Sequence, residues 1–329
     1  MSTESDKRAT MLDFKALKAR YSSPSESTSS AGRPDELHQS QRDLQSKSTS
    51  KRKDPLAQER TGKLLKGAQR SLGLPQIVES GVQSLIVRNE SPWDTFLKVF
   101  NCKLAGTVTI AVHRTRPSRV VAIREYPMED AERMLQRFRQ VQHQNIISAR
   151  ECYSDKEAMY ALVDDLPLTL VQLVGCRAYP SESQLASIIG QVLDGLSYLI
   201  TAGFEHKSLT CSNILLGLEG SVKIAGLEFC VERLPNPTQI ESIKALATIT
   251  MELMQKYDKD DGLIGVDDLD RWPVDSASFG FLSATSSAMS IEVLKQHPLV
   301  SKQRPSPGVL VGLARLALIS ARTFYSCGS

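Results

Sequence analysis

Three β-branched and aromatic runs crowd into one short stretch of this 329-residue chain: TFLKVF (95–100), TVTIAVHR (107–114) and RVVAIREY (119–126). Turn-forming residues separate them. Such runs form antiparallel strands, because alternate side chains must share one buried face. Two more strand-like runs follow, Asn145–Cys152 and Ala158–Asp164. Between the third and fourth lies the charged segment Met128–Gln142, whose Met134, Leu135, Phe138 and Val141 recur at helical spacing. The expectation for this half is a five-stranded sheet with one helix.

Beyond Pro167 the periodicity changes. Leu185, Ile188, Ile189, Val192, Leu193, Leu196 and Leu199 follow a three-four spacing, with Ser181 or Ser183 as N-cap. Two short strands are expected at Ile214–Leu216 and Val222–Ile224, joined by a turn at Glu219-Gly220. Apolar helices are expected over Ile240–Met254 and Val309–Phe324. A β-rich half followed by a helical half predicts an α+β protein with two lobes.

The segment before Trp93 is different. Its only aromatics are Phe14 and Tyr21, and Ser, Thr, Gln, Lys and Arg dominate it. Such a composition buries too little apolar surface to offset its ordering entropy, so residues 1–92 are expected to be disordered. Asp13–Tyr21 and Gly62–Leu72 are candidate transient helices. Lys51-Arg52-Lys53 reads as a solvated charge cluster, with a nuclear signal or anion patch as the alternative.

The net charge of +3 does not suggest a dedicated nucleic-acid surface. The six cysteines contain no C-x-x-C pair and no metal-ligand spacing with histidine, so reduced thiols and an intracellular location, cytoplasmic or nuclear, are expected. The N-terminus lacks the apolar core of a signal peptide. The longest apolar run, Val309 to Ala321, is interrupted by Arg315 and is too short to cross a bilayer.

From about Phe96 to Leu299 the order of elements resembles the eukaryotic protein kinase domain. The stretch LSYLITAGFEHKSLTCSNILL (196–216) carries the likeness. In that family a helix leads into a loop of pattern H-R-D-x-K-x-x-N followed by a hydrophobic residue and Leu. Here His206, Lys207, Ser208, Thr210, Asn213, Ile214 and Leu215 keep the spacing. VKIAGLEF (222–229) stands where the family has a strand and D-F-G. VAIR (121–124) resembles V-A-I-K, and QHQNII (142–147) resembles the H-P-N-I-V turn. The likeness is closest to the serine/threonine side, and SLTCSNILL also resembles degenerate kinase-like domains of fungal proteins.

The resemblance implies a two-lobed kinase-like fold: a small antiparallel sheet with one helix over 93–167, a larger helical lobe over 168–300, and a helix over 301–329. It also implies positions for chemistry. Phosphoryl transfer needs a carboxylate beside the attacking hydroxyl, magnesium ligands and cations around the phosphates. The catalytic aspartate position holds Ser208, which is uncharged; loss of a positioned base costs about 10²–10⁴ in rate. Thr210 replaces the loop lysine, and Lys207 replaces an arginine. Gly226 stands at the main metal-ligand position, with Glu228 two residues late. Asn213 is retained as a residual metal ligand or a loop tie. Arg124 replaces the strand lysine, and its expected glutamate partner falls on Met134. The glycine-rich loop within NCKLAGTVTIAV (101–112) keeps only Gly106. Gly106, Ala122, Arg124 and Asp164 are the implied nucleotide contacts.

No A-P-E motif follows Gly226, and Pro235-Asn236-Pro237 is the only punctuation there. Ser242 or Glu241 stands where the family has an anchoring aspartate. FLSATSSAMSIEVLKQHPLV (281–300) resembles the end of the domain without its internal arginine.

Packing positions are kept while chemical positions are changed. A catalytically impaired pseudokinase is therefore expected, a binding, scaffolding or allosteric module rather than an enzyme. Its expected partners are proteins, an active kinase or another signalling protein, with no nucleic acid and no cofactor. Three alternatives stand beside it: an atypical active Ser/Thr kinase using ATP and magnesium, a nucleotide-binding regulator without phosphotransfer, and a decayed remnant that folds poorly.

Overall fold

A computed structural model describes residues 85–233, 238–259, 262–302 and 305–326. The expectations for residues 1–84, including the two candidate helices and the basic cluster, lie outside the described residues, as do Pro235, Asn236 and Pro237.

The small lobe is built on one sheet. Its first strand, β1 (Ile86–Arg88), pairs in parallel with β5 (Ala149–Ser154). The three leading runs form β2 (Phe96–Lys103), β3 (Thr107–His113) and β4 (Arg116–Pro127), and β6 is Ala158–Val163. The spatial order of the six strands is β1-β5-β6-β4-β3-β2. This corrects two expectations: the sheet has six strands rather than five, and structure begins before residue 93. All three residues of β1 are exposed, so the segment lacks the alternation that marks a strand in sequence. Edge hydrogen bonds and an Arg88–Glu151 ion pair at 3.2 Å hold it instead.

Helix α1 (Met128–Gln140) follows β4 directly and buries Met134, Arg137 and Phe138. It ends two residues earlier than expected, because Val141 turns to extended backbone and is fully buried. β5 also starts later than the run Asn145–Cys152 suggests. The backbone of 145–147 is used across the lobes: Ile147 N donates to Ile224 O and Ile224 N donates to Asn145 O, both at 2.8 Å.

In the large lobe come β7 (Leu168–Thr169), α2 (Leu170–Gly175) and then α3 (Glu182–Thr201). Ser181 caps α3 through a reciprocal capping box with Gln184, which satisfies two otherwise unpaired amides. All seven positions of the three-four pattern are buried. Each such Leu or Ile contributes roughly 2 kcal/mol when fully buried. Next are β8 (Phe204–His206), β9 (Ile214–Leu216), β10 (Val222–Ile224) and β11 (Cys230–Glu232). The helices are α4 (Ile240–Gln255), α5 (Ala277–Ala284), α6 (Ile291–Lys295), α7 (Pro298–Ser301) and α8 (Val311–Ser326). A 3-10 turn at Pro307–Leu310 delays the start of α8 relative to the expected Val309.

One core fills the large lobe around α3 and α4. A second joins α1, through Met134 and Phe138, to Leu199, Leu215, Ala225 and Leu227 below. That second core binds the lobes together and forms the floor of the cleft. Among the described residues no helix is long and apolar enough to cross a membrane, and no cysteine is in a disulfide.

Candidate functional site

The cleft is assembled from the β2–β3 hairpin above, β4 and α1 behind, and two loops below. The lower loops are 207–213, between β8 and β9, and 225–229, after β10.

Arg124 sits on β4 with 4% of its side chain exposed. A buried guanidinium must find acceptors, since an unpaired buried charge is costly. Arg124 Nη1 donates to the Ala105 carbonyl at 2.6 Å, and Nη2 donates to the Leu104 carbonyl. The planar fork of arginine suits two adjacent acceptors in a way an ammonium does not. The hairpin turn is bent to meet it. Ala105 has φ 53° and Gly106 φ 106°, and Leu104 and Ala105 are both buried. A left-handed alanine costs on the order of 1 kcal/mol, which the charge-assisted bonds offset. Gly106 lies so near that an added Cβ would stand 3.2 Å from Arg124 Nη1.

The counter-charge for Arg124 does not come from α1. Met134 occupies the expected partner position and is fully buried in apolar surroundings. Glu228 supplies the charge, with Oε1 3.9 Å from Nη1. Residues 227–229 form a 3-10 turn, and this turn brings Glu228 to Arg124. Glu228 Oε2 is buried without a hydrogen-bond partner.

Gly226 precedes that turn with φ 81°. A Cβ there would stand 2.9 Å from the Phe229 ring and 3.3 Å from His206 Nε2. Backbone and neighbours therefore both favour glycine.

His206 is buried, and its ring is engaged on both sides. Nε2 lies 2.9 Å from the Ala225 carbonyl, and Nδ1 accepts from Ser208 N at 3.3 Å. That pattern fits the neutral Nε2–H tautomer. Burial holds the imidazole below its ordinary pKa, outweighing the hydrogen bond to Ala225.

Asn213 ties the same loop: Nδ2 donates to the Ser208 carbonyl at 2.7 Å, and its own carbonyl accepts from Ala225 N at 2.8 Å. Ser208 Oγ lies 3.3 Å from Asn213 Nδ2. Thr210 is exposed and bonded to Ser212 at 2.8 Å, while Lys207 pairs with Glu205 at 2.7 Å.

Asp164 is held within the protein. Its Oδ2 accepts from Ser148 N and Oγ at 3.0 Å and pairs with Lys223 Nζ at 2.8 Å. Ala122 is buried on β4, opposite Val163 and Ile110. The cleft thus brings together Gly106, Ala105, Arg124 and Glu228 in one cluster, and His206, Ser208, Asn213 and Gly226 in a second. Asp164, Lys207 and Thr210 are engaged elsewhere. Among the described residues no group of three His, Cys, Asp or Glu is placed to hold a metal ion.

A model of the protein kinase domain matches residues 95–246. Those residues belong to the eukaryotic protein kinase superfamily. Mitogen-activated protein kinase kinase kinase 1 of Arabidopsis thaliana is 30% identical over 122 residues, which is 37% of this chain and 20% of the relative. Cyclin-dependent kinase 12 of Drosophila melanogaster is 31% identical over 132 residues, 37% of this chain and 11% of the relative. STE20-related kinase adapter protein strd-1 of Caenorhabditis elegans is 25% identical over 169 residues, 49% of this chain and 40% of the relative. This chain therefore spans between 11% and 40% of these relatives' lengths.

The kinase-domain match begins at Thr95 and ends inside α4. β1 precedes it, and α5 to α8 follow it. The bonds from Arg124 to the hairpin carbonyls were not legible in the sequence, where apolar Leu104 and Ala105 inside an expected glycine loop were the available sign.

Proposed function

We propose that this kinase domain does not transfer phosphate and acts as a binding module for protein partners. The observation that carries this reading is Arg124. A phosphate-binding hairpin works by aiming backbone N–H groups at the anion. Here two carbonyl oxygens of the hairpin point at the buried cation that would have met the phosphate, and Glu228 adds a carboxylate beside it. An incoming polyphosphate would meet like-signed oxygens and would have to displace two charge-assisted bonds.

The loops below offer no replacement. Ser208 and Gly226 carry no carboxylate, and the Asn213 amide donates to Ser208. The residues present do not fit a magnesium–nucleotide complex. The packing that joins the lobes is intact, as a binding surface requires. The likeness to strd-1, an adapter by its name, points the same way.

Thermal melting of the full chain with millimolar ATP and magnesium tests the reading. A nucleotide present at 100 times its Kd stabilises a fold by about 2.7 kcal/mol. No shift and no phosphate transfer are expected. A magnesium-dependent shift with transfer that disappears in Glu228→Ala would overturn the proposal. Co-purification with the full chain then identifies the partner.

A further inference from the structure

The small lobe ends on an open edge. β2 is the last strand in the order of six, so one side of its backbone pairs with β3 and the other side with no strand of the sheet. Such an edge presents a row of N–H and C=O groups that a further strand can use.

The side chains of that edge are sorted by face. Directly opposed residues of an antiparallel pair share a face. Leu97 opposes Val112, Phe100 opposes Ile110, and Val112 in turn opposes Val120. A bulge at Val99 brings Leu97 and Phe100, three residues apart, onto this one face. Lys98, opposite Ala111, and Lys103, opposite Thr107, lie on the other face. Leu97, Val99 and Phe100 are each more than half exposed, and Val120 is 47% exposed. The edge is therefore apolar on one face and cationic on the other.

The charge around it is one-sided. No aspartate or glutamate occurs from Thr95 to Arg124, a stretch that holds six cations. Arg119 and Arg124 find carboxylates elsewhere, on Glu151 and Glu228. Among the described residues the other four do not. Lys98 lies 3.9 Å over the Trp93 ring, and Lys103 donates to the Thr107 hydroxyl at 2.8 Å. Arg114 donates to the Trp93 carbonyl at 2.9 Å, and Arg116 is exposed at the start of β4.

Charge separates the possible occupants. A second copy of this chain would bring Lys98 and Lys103 beside their own equivalents, and like charges oppose such a strand pair. A segment that alternates acidic and apolar residues sets carboxylates against the lysines on one face. On the other face it lays apolar side chains along Leu97 and Phe100. We infer that the open edge of β2 binds an extended acidic segment of a partner protein by strand addition. The inference rests on the β2 edge and not on the Arg124 cluster, so it holds whether or not the cleft takes nucleotide.

The test uses the full chain and a labelled peptide as long as β2, eight residues of alternating valine and glutamate. Binding is read from fluorescence polarisation. Saturable binding is expected, with millimolar ATP and magnesium leaving it unchanged. Leu97→Thr with Phe100→Thr, which keeps strand propensity, should weaken it about tenfold or more with the melting temperature held. Lys98→Glu with Lys103→Glu should abolish it and create binding of the peptide carrying lysine for glutamate. Two peptides N-methylated at alternate amides, one in each phase, should differ, since only one of them loses the N–H groups that face β2. No saturable binding, equal binding of the glutamate and lysine peptides, equal binding of the two methylated peptides, or displacement by ATP and magnesium would overturn the proposal.

Discussion

Arg124 shows how the shape of a buried cation sets its partners. A lysine is a mobile point charge, whereas arginine presents a planar fork. Once buried, that fork takes the nearest acceptors, the Leu104 and Ala105 carbonyls. Arg124→Ala would leave both carbonyls and Glu228 unpaired. A loss of about 3 kcal/mol is expected in urea unfolding, the cost of breaking a buried charged contact. Gly226 makes a second residue-scale prediction. Restoring carboxylates with Ser208→Asp and Gly226→Asp should not create activity. The new Cβ at 226 would press on Phe229 at 2.9 Å with φ at 81°, so the double variant should transfer no phosphate and should unfold at lower urea concentration than the parent.

At the scale of elements, α3 and β10 are locked through Asn145. Its Nδ2 donates to the Val222 carbonyl at 3.0 Å and to Gln191 Oε1 at 3.1 Å. The turn packs so tightly on α3 that a Cβ on Gly195 would lie 2.9 Å from the Asn145 carbonyl and 3.0 Å from Ile224 Cδ1. Alanine in a helix interior normally gains about 1 kcal/mol over glycine. Here overpacking costs about 1–3 kcal/mol, so Gly195→Ala should lower stability despite better helix propensity. The measurement is a denaturant midpoint with unchanged slope. The Gly220 turn is similar: a Cβ there would overlap the Pro307 carbonyl, so Gly220→Ala should loosen the approach to α8 and raise its amide exchange.

Across the whole molecule, stability should fall in mild acid. Burial lowers the pKa of His143, His206 and His297, so the folded state holds them neutral. The unfolded chain takes up these protons near the ordinary histidine value of about 6.5. Below that pH the unfolded state binds more protons, and stability drops as pH falls. The urea midpoint should therefore decrease between about pH 7 and pH 5. His206→Gln, which keeps a donor for Ala225, should flatten that dependence in part. An unchanged slope would mean that His206 is not protonation-linked to folding.

Much of this fold was legible before any coordinate. Three-four spacing located α3 and α4, and β-branched runs located β2 to β6. These features are local, because periodicity records which face of an element is buried. β1 escaped because its three residues face solvent and only pairing with β5 makes them a strand. The target of Arg124 and the turn that carries Glu228 to it escaped for a related reason. Both depend on contacts 19 to 104 residues apart, and on φ values that no residue pattern specifies. The sequence by itself determined the lobes and the helices. Only the tertiary structure decided where the remaining charges went, because a buried charge takes whichever acceptors the fold brings within reach.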